Sequence, residues 1–307
     1  MKIKSKISAA ITILLISSFV MSGCDKGNTA DNPTSSTVTS AETSNEIECT
    51  VNNLIDKQSQ EDVDKLLSDA GISKERRNVF WEHVNQVNST EGFNSLKAGN
   101  RLQQASKMIY DPYELQDFWN KAHPDFVGYN CRITAFSLMG DYIEIKNTGN
   151  YNDSDLFMDI EALTSDPSAL QKTDDMERFK TLYSTYDTEN SKDINVHLAL
   201  VQEKWKQAGI SFKENSSASL ISMYFHNQFS ETENELSIGH TGVLIDMGKK
   251  GLCFVEKLAF QEPYDVVYVK NRKELSDYLM AKYNTDYNQP TAAPFIVEND
   301  QLMDSDK

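Results

Sequence analysis

The hydrophobic spacing of this chain changes once along its length, and that single change limits the folds open to it. Up to about residue 208, apolar side chains recur at helical spacing. Val63, Leu66, Leu67 and Ala70 follow the Ser59/Asp62 pair, which reads as a capping box, and Gly71 ends that element. Val79, Phe80, His83, Val84 and Val87 form a stripe after Ser73, and Pro112 marks the first turn of a helix carrying Leu115, Phe118 and Trp119. A further helix is expected from Asn130 and Cys131 to about Ile145, with others near 155–163, 174–184 and 192–208. From residue 219 the period becomes that of strands: Ser219 to Phe225, Thr241 to Met247, Leu252 to Phe260 and Asp265 to Val269, separated by turn residues such as Gly248 to Gly251. A short helix follows Asn271. Helices first and strands afterwards leave no βαβ repeat. The expected class is therefore α+β, a helical N-terminal half followed by a small antiparallel sheet. No linker interrupts 47–283, which predicts one globular domain, and 284–307 reads as a polar, loose C-terminal tail apart from Pro294 to Val297.

The front of the chain has a different character. Lys2, Lys4 and Lys6 precede an apolar run from Ile7 to Val20, too short to span a bilayer comfortably, which reads as a secretory signal. It ends in Met21-Ser22-Gly23-Cys24, which resembles a bacterial lipobox with Met21 where Leu is commoner. The resemblance implies residues 1–23 as a lipoprotein signal peptide, lipidation of Cys24, and anchoring to the bacterial cell membrane on its extracytoplasmic side. Asp25 to Glu46 is Ser, Thr, Asn, Asp and Ala with little to bury, so 24–46 reads as a flexible tether. No later apolar run is long enough for a transmembrane helix. With 30 Lys+Arg against 46 Asp+Glu the formal charge is −16, which argues against nucleic acid and against electrostatic docking on anionic lipid. Lipidation of Cys24 leaves Cys49, Cys131 and Cys253 in an oxidising compartment. Three bridges can be drawn among them, and Cys49–Cys253 is the expected pair if one forms, since the setting of Cys131 reserves it for chemistry.

Several strong motifs are absent: no phosphate loop, no dinucleotide fingerprint, no H-E-x-x-H, no C-x-x-C and no G-x-S-x-G. The five His are dispersed, so neither a metal nor a cofactor is expected. What remains is Cys131 and His240. Cys131 follows Asn130, a good cap, and starts an apolar helix. The unpaired N–H groups and macrodipole there favour a thiolate and can hold an oxyanion. His240 opens a strand in Ile238-Gly-His-Thr-Gly-Val-Leu-Ile245, flanked by glycines that allow close approach. A polar residue on a neighbouring strand could fix its tautomer: Glu256 first, with Asp246 and Asp265 behind it. Taken singly, a Cys in an apolar helix is usually a small core residue and a lone His a satisfied structural one. The order of Cys at a helix start, His on a strand and a polar residue on the next strand is more specific.

That order, with H-T-G-V-L-I, a turn and F-V-E, resembles the histidine hairpin of NlpC-type papain-like peptidases. Their nucleophile helix usually begins Asp-Cys-Ser/Asn-Gly, whereas here Asn130-Cys131-Arg132 is followed by Ile133-Thr134. The resemblance implies Cys131 as nucleophile, His240 as base and Glu256 as orienter. The stretch from about 50 to 283 also resembles an uncharacterised family of bacterial lipoproteins sharing N-C-R, I-T-A-F and G-H-T-G. Two functions follow as expectations. One is a surface-tethered thiol hydrolase acting on an amide or ester, such as a cell-wall peptide. The other is a non-catalytic lipoprotein that binds a ligand or protein on the same fold.

Overall fold

The computed structural model describes residues 47–285 and 289–305. The expected signal peptide and tether, with Cys24, lie outside them. The described part is α+β, with a large antiparallel sheet between helices on its two faces.

The chain enters on strand β1 (Glu48–Asn52), then forms helices α1 (Lys57–Asp69) and α2 (Lys74–Ser89), strand β2 (Arg101–Gln104), and helices α3 (Pro112–Ala122) and α4 (Cys131–Met139). Strand β3 (Ile143–Glu144), helices α5 (Phe157–Ser165) and α6 (Asp175–Leu182), strand β4 (Tyr186–Asp187), helix α7 (Ile194–Ala208) and strand β5 (Ser211–Phe212) complete the first part. The second holds β6 (Ala218–Gln228), β7 (Asn234–Asp246), β8 (Leu252–Lys257), β9 (Tyr264–Val269), α8 (Arg272–Tyr283), β10 (Phe295–Glu298) and β11 (Gln301–Leu302). The main sheet runs β11-β10-β6-β7-β8-β9-β1-β2, with β4 added against β7, while β3 and β5 pair separately. A large apolar cluster, including Phe80, Trp119, Phe136, Phe179, Trp205 and Val255, fills the space between the sheet and the N-terminal helices. A smaller one, with Val51, Phe254, Val267, Leu275 and Leu279, lies between the other face and α8.

Three expectations need correcting. The first half is not purely helical: β1 pairs with β9 and brings β2 with it, so the sheet is not small. Short strands of mixed polarity such as Glu48–Asn52 carry too few residues to declare a period of two. The tail is not loose throughout, because Phe295 to Glu298 pairs with Ile221 to Tyr224 and covers that edge of the sheet. The first helix is capped by Asp56, which accepts from the Ser59 amide, so Ser59 lies within the first helical turn and is not the cap.

Helix α4 is the centre of the fold. Every residue from Cys131 to Met139 except Arg132 is buried, the pattern of a helix surrounded by core on all sides. It is capped as expected by Asn130, whose side chain accepts from the Ile133 amide at 3.0 Å. It stops at Met139, short of the expected Ile145. Arg178 donates to the carbonyls of Gly140 and Ile143, at 2.7 and 2.6 Å, which takes the chain out of the helical path. A Cβ at Gly140 would also lie only 2.7 Å from the Arg76 guanidinium.

Cys49 and Cys253 do not pair. All three described cysteines are free and buried. Cys49 packs into the cluster under α8 and Cys253 into the cluster on the opposite face, with β9 between their strands. Neighbouring strands lie about 4.8 Å apart, so the two thiols are out of disulfide reach.

Candidate active site

The meeting of α4 with the sheet depends on an interruption in pairing. Strand β8 pairs with β7 only over Val243 to Asp246. Beyond Val243 the two strands part, and β7 continues down to Asn234 paired with β6. Helix α4 packs against both β7 and β8. His240 therefore lies within a long strand and does not open one. A bulge between Met223 and Tyr224 leaves Gly239 without a partner and sets the facing of His240. The glycines beside it are there for close approach, but the neighbours are rings and backbone. A Cβ on Gly239 would sit 1.8 Å from the Phe225 ring, and one on Gly242 would meet the Phe254 ring at 2.4 Å and the Val255 carbonyl at 2.8 Å.

The structure brings Cys131, His240 and Glu256 together. His240 Nε2 lies 2.5 Å from Glu256 Oε2, and both side chains are fully buried. The other imidazole nitrogen, Nδ1, meets no acceptor in ideal hydrogen-bond geometry. Cys131 and His240 are near enough for each to shift the proton affinity of the other. Such loose contacts are common in catalytic pairs without substrate. Burial pushes the Cys131 thiol up. The hydrogen bond and charge of His240, with the charge of Arg132, outweigh burial and bring it below its ordinary value. Burial pushes His240 down, but Cys131 and Glu256 raise it to about 9. Burial raises Glu256, and His240, Lys282 and Tyr278 more than reverse this. The shifts run toward a thiolate, an imidazolium and a carboxylate.

The helix start is fastened to the histidine strand. Arg132 donates through its guanidinium to the Ile238 carbonyl at 3.0 Å and to Asp159 at 3.1 Å. Asn130 donates to the same Asp159 oxygen at 2.7 Å. The amides of Cys131 and Arg132 belong to the first helical positions, which have no intrahelical acceptor. The Tyr283 ring stacks on His240 at 4.8 Å, and Cys131 and His240 are 6% and 1% exposed.

The runners-up for the third position fall elsewhere. Asp246 is exposed and accepts from the Gly248 amide in the β7–β8 turn. Asp265 is the cross-strand neighbour of Glu256 and is held by Asn53. Burial pushes it up to about 7, and it does not bond His240. Lys257, next to Glu256 but on the opposite face, donates to the carbonyls of Ala259, Phe260 and Glu262 and secures the β8–β9 connection. Burial brings it down to about 7. Tyr129 and Trp119 are engaged elsewhere: the Tyr129 hydroxyl contacts Gln86 and Asp166, and Trp119 donates to the Phe126 carbonyl.

Sequence reasoning missed Arg132, Asp159 and Tyr278. Arg132 carried a usable signal, since a cation in the first turn opposes the helix dipole and needs an acidic partner. Asp159 and Tyr278 carried none, because each reads as an ordinary helix residue. Among the described residues, no three His, Cys, Asp or Glu side chains group as a metal site, and no helix is long and apolar enough to cross a membrane.

The chain belongs to the family defined by a domain of unknown function, DUF4300, whose model matches residues 50–303. The match includes β10, in agreement with that strand's place in the sheet. No curated protein and no solved structure matches the chain.

Proposed function

We propose that this protein is a thiol hydrolase of papain-like arrangement, held by lipid at Cys24 on the extracytoplasmic side of a bacterial membrane, and acting on an amide or ester such as a cell-wall peptide. The observation that carries the reading is a cysteine at a helix start facing a buried imidazole whose far nitrogen is bonded to a buried carboxylate. The Cys131 thiolate attacks the carbonyl carbon. The tetrahedral oxyanion is met by the Cys131 and Arg132 amides. His240 gives its proton to the leaving nitrogen or oxygen as the carbon–leaving-group bond breaks, leaving a thioester. His240 then takes a proton from water, whose oxygen attacks the thioester and regenerates Cys131. Glu256 keeps the imidazole oriented throughout.

The test is alkylation of Cys131 by iodoacetamide across pH, read on its peptide by mass spectrometry, beside turnover of p-nitroanilide and p-nitrophenyl ester substrates by wild type and Cys131→Ala. Labelling well below pH 8 with turnover lost in the variant supports the reading. Labelling no faster than an ordinary buried thiol overturns it. The burial of the site under Tyr283 favours a second reading, a binding lipoprotein with no turnover; alkylation without turnover on any amide or ester would decide for it. Cys24→Ala should move the protein out of the membrane fraction, and retention there would remove the anchor.

A further inference from the structure

Glu256 is gripped at both ends. Oε2 receives His240, and Oε1 receives a short hydrogen bond from the Tyr278 phenol. Tyr278 comes from α8, the layer on the opposite side of the sheet from the helix bundle that carries Cys131, and is 1% exposed. Other polar groups act on Glu256 or on its neighbour Asp265 from every adjoining element. They are His240 on β7, Asp265 on β9, Cys49 on β1, Arg101 on β2, Glu262 on the β8–β9 connection, and Lys282 and Tyr283 on α8. Only His240 and Tyr278 donate to the carboxylate among the described residues.

The terminal torsion of a Glu side chain is soft. A carboxylate held through one oxygen can swing and turn its imidazole with it. Held through both oxygens from separate elements, its plane is fixed. A phenol suits the second grip, because it donates a hydrogen bond at neutral pH without surrendering the proton. It therefore favours an ionised Glu256 even with Asp265 as its cross-strand neighbour.

We propose that Tyr278 is a positioning residue of this site: its phenol clamps Glu256 as an oriented anion, and through it aims the His240 imidazole at Cys131. The proposal rests on the hydrolase reading and adds that α8 sets the readiness of the nucleophile.

The experiment uses the full chain and two changes at one position. Tyr278→Phe removes the phenol and keeps the ring. Site-specific 3-fluorotyrosine at 278 keeps the packing and strengthens the donor. The readout is the midpoint of Cys131 alkylation against pH, with kcat and KM on an ester. Tyr278→Phe should raise the midpoint by about one pH unit and lower kcat about tenfold at neutral pH, with KM little changed. Fluorotyrosine should move the midpoint down. Wild-type midpoints in both proteins would overturn the clamp and leave the hydrolase reading intact. An ordinary thiol midpoint in wild type would overturn both. If Tyr278→Phe fails to fold, the fluorotyrosine midpoint decides alone.

Discussion

Two buried histidines sit in similar company and are driven in opposite directions. His240 has Cys131 on one side and Glu256 on the other. His83 has Ser168 Oγ 2.7 Å from its Nε2, Asp166 at 3.7 Å, and Tyr129 stacked on its ring at 3.8 Å. A listing of residue types would suggest two hydrolase sites. The geometry separates them. In the first, Glu256 holds Nε2, and Cys131 and Glu256 both raise the proton affinity of the imidazole. In the second, Ser168 and Asp166 crowd the same nitrogen, and Nδ1 has no partner. Asp166 is also engaged by Tyr129 and by the Ser168 amide, at 2.6 and 3.0 Å. Burial therefore wins at His83 and takes it down to about 4, whereas the flanking groups win at His240 and take it up to about 9. The two rings differ in whether their charged partners outweigh burial.

The largest expected effect sharpens that contrast. His240→Ala or Cys131→Ala should lower kcat at least 1,000-fold, roughly the loss seen when a catalytic unit is broken, whereas Ser168→Ala should stay within about twofold of wild type. Comparable losses at Ser168 in a turnover assay would erase the distinction. Next in size, Glu256→Ala leaves His240 and Tyr278 without their buried acceptor. It should cost about 3–5 kcal/mol in urea unfolding, and a loss under 1 kcal/mol would show the carboxylate is not the hub of the site.

The two imidazoles should also mark opposite limbs of the stability–pH profile. The folded-state value of His83 lies below its unfolded 6.5, so its contribution is intact above pH 6.5 and falls away as pH drops toward 4. The shift corresponds to roughly 3 kcal/mol at its full extent. The folded-state value of His240 lies above 6.5, so its stabilisation is complete below pH 6.5 and is lost as pH rises through about 9. Denaturation of His83→Gln across pH 4–10 should show a flatter acid limb with the alkaline limb unchanged; an unchanged acid limb would mean His83 is not its source. The smallest effect is the stability of Ser168→Ala, about 1 kcal/mol for one lost side-chain hydrogen bond, measured by the same denaturation. A loss of several kcal/mol would mean that the serine anchors more than His83.

The legible parts of this molecule are those where a local rule and the tertiary context agree. Asn130 before an apolar run announced the start of α4, and Gly239 and Gly242 around His240 announced close packing. Glu256 could be ranked first because it is the polar residue of the strand that follows His240, in Leu252-Cys-Phe-Val-Glu256. The end of α4 was not legible, since Arg178 and Arg76, distant in sequence, terminate it. The clamp by Tyr278 was not legible either, since an aromatic on a helical stripe looks the same whether its hydroxyl is idle or bonded. Strands β1, β2 and β10 are too short to state a period and exist because long-range partners complete them.

The way the site is assembled also works as a timer. A nascent chain presents Cys131 well before the β7–β8 hairpin that supplies His240 and Glu256, and before α8 that supplies Tyr278. In that interval the sulfur is an ordinary thiol with a value near 8.5, largely protonated and slow to react. Pairings between distant strands are late events in folding, so the proposed site is complete only when the finished sheet closes around Cys131. Urea-unfolded chain should accordingly show Cys131 alkylation at the ordinary thiol midpoint, and refolding should bring that midpoint down in step with the return of native structure.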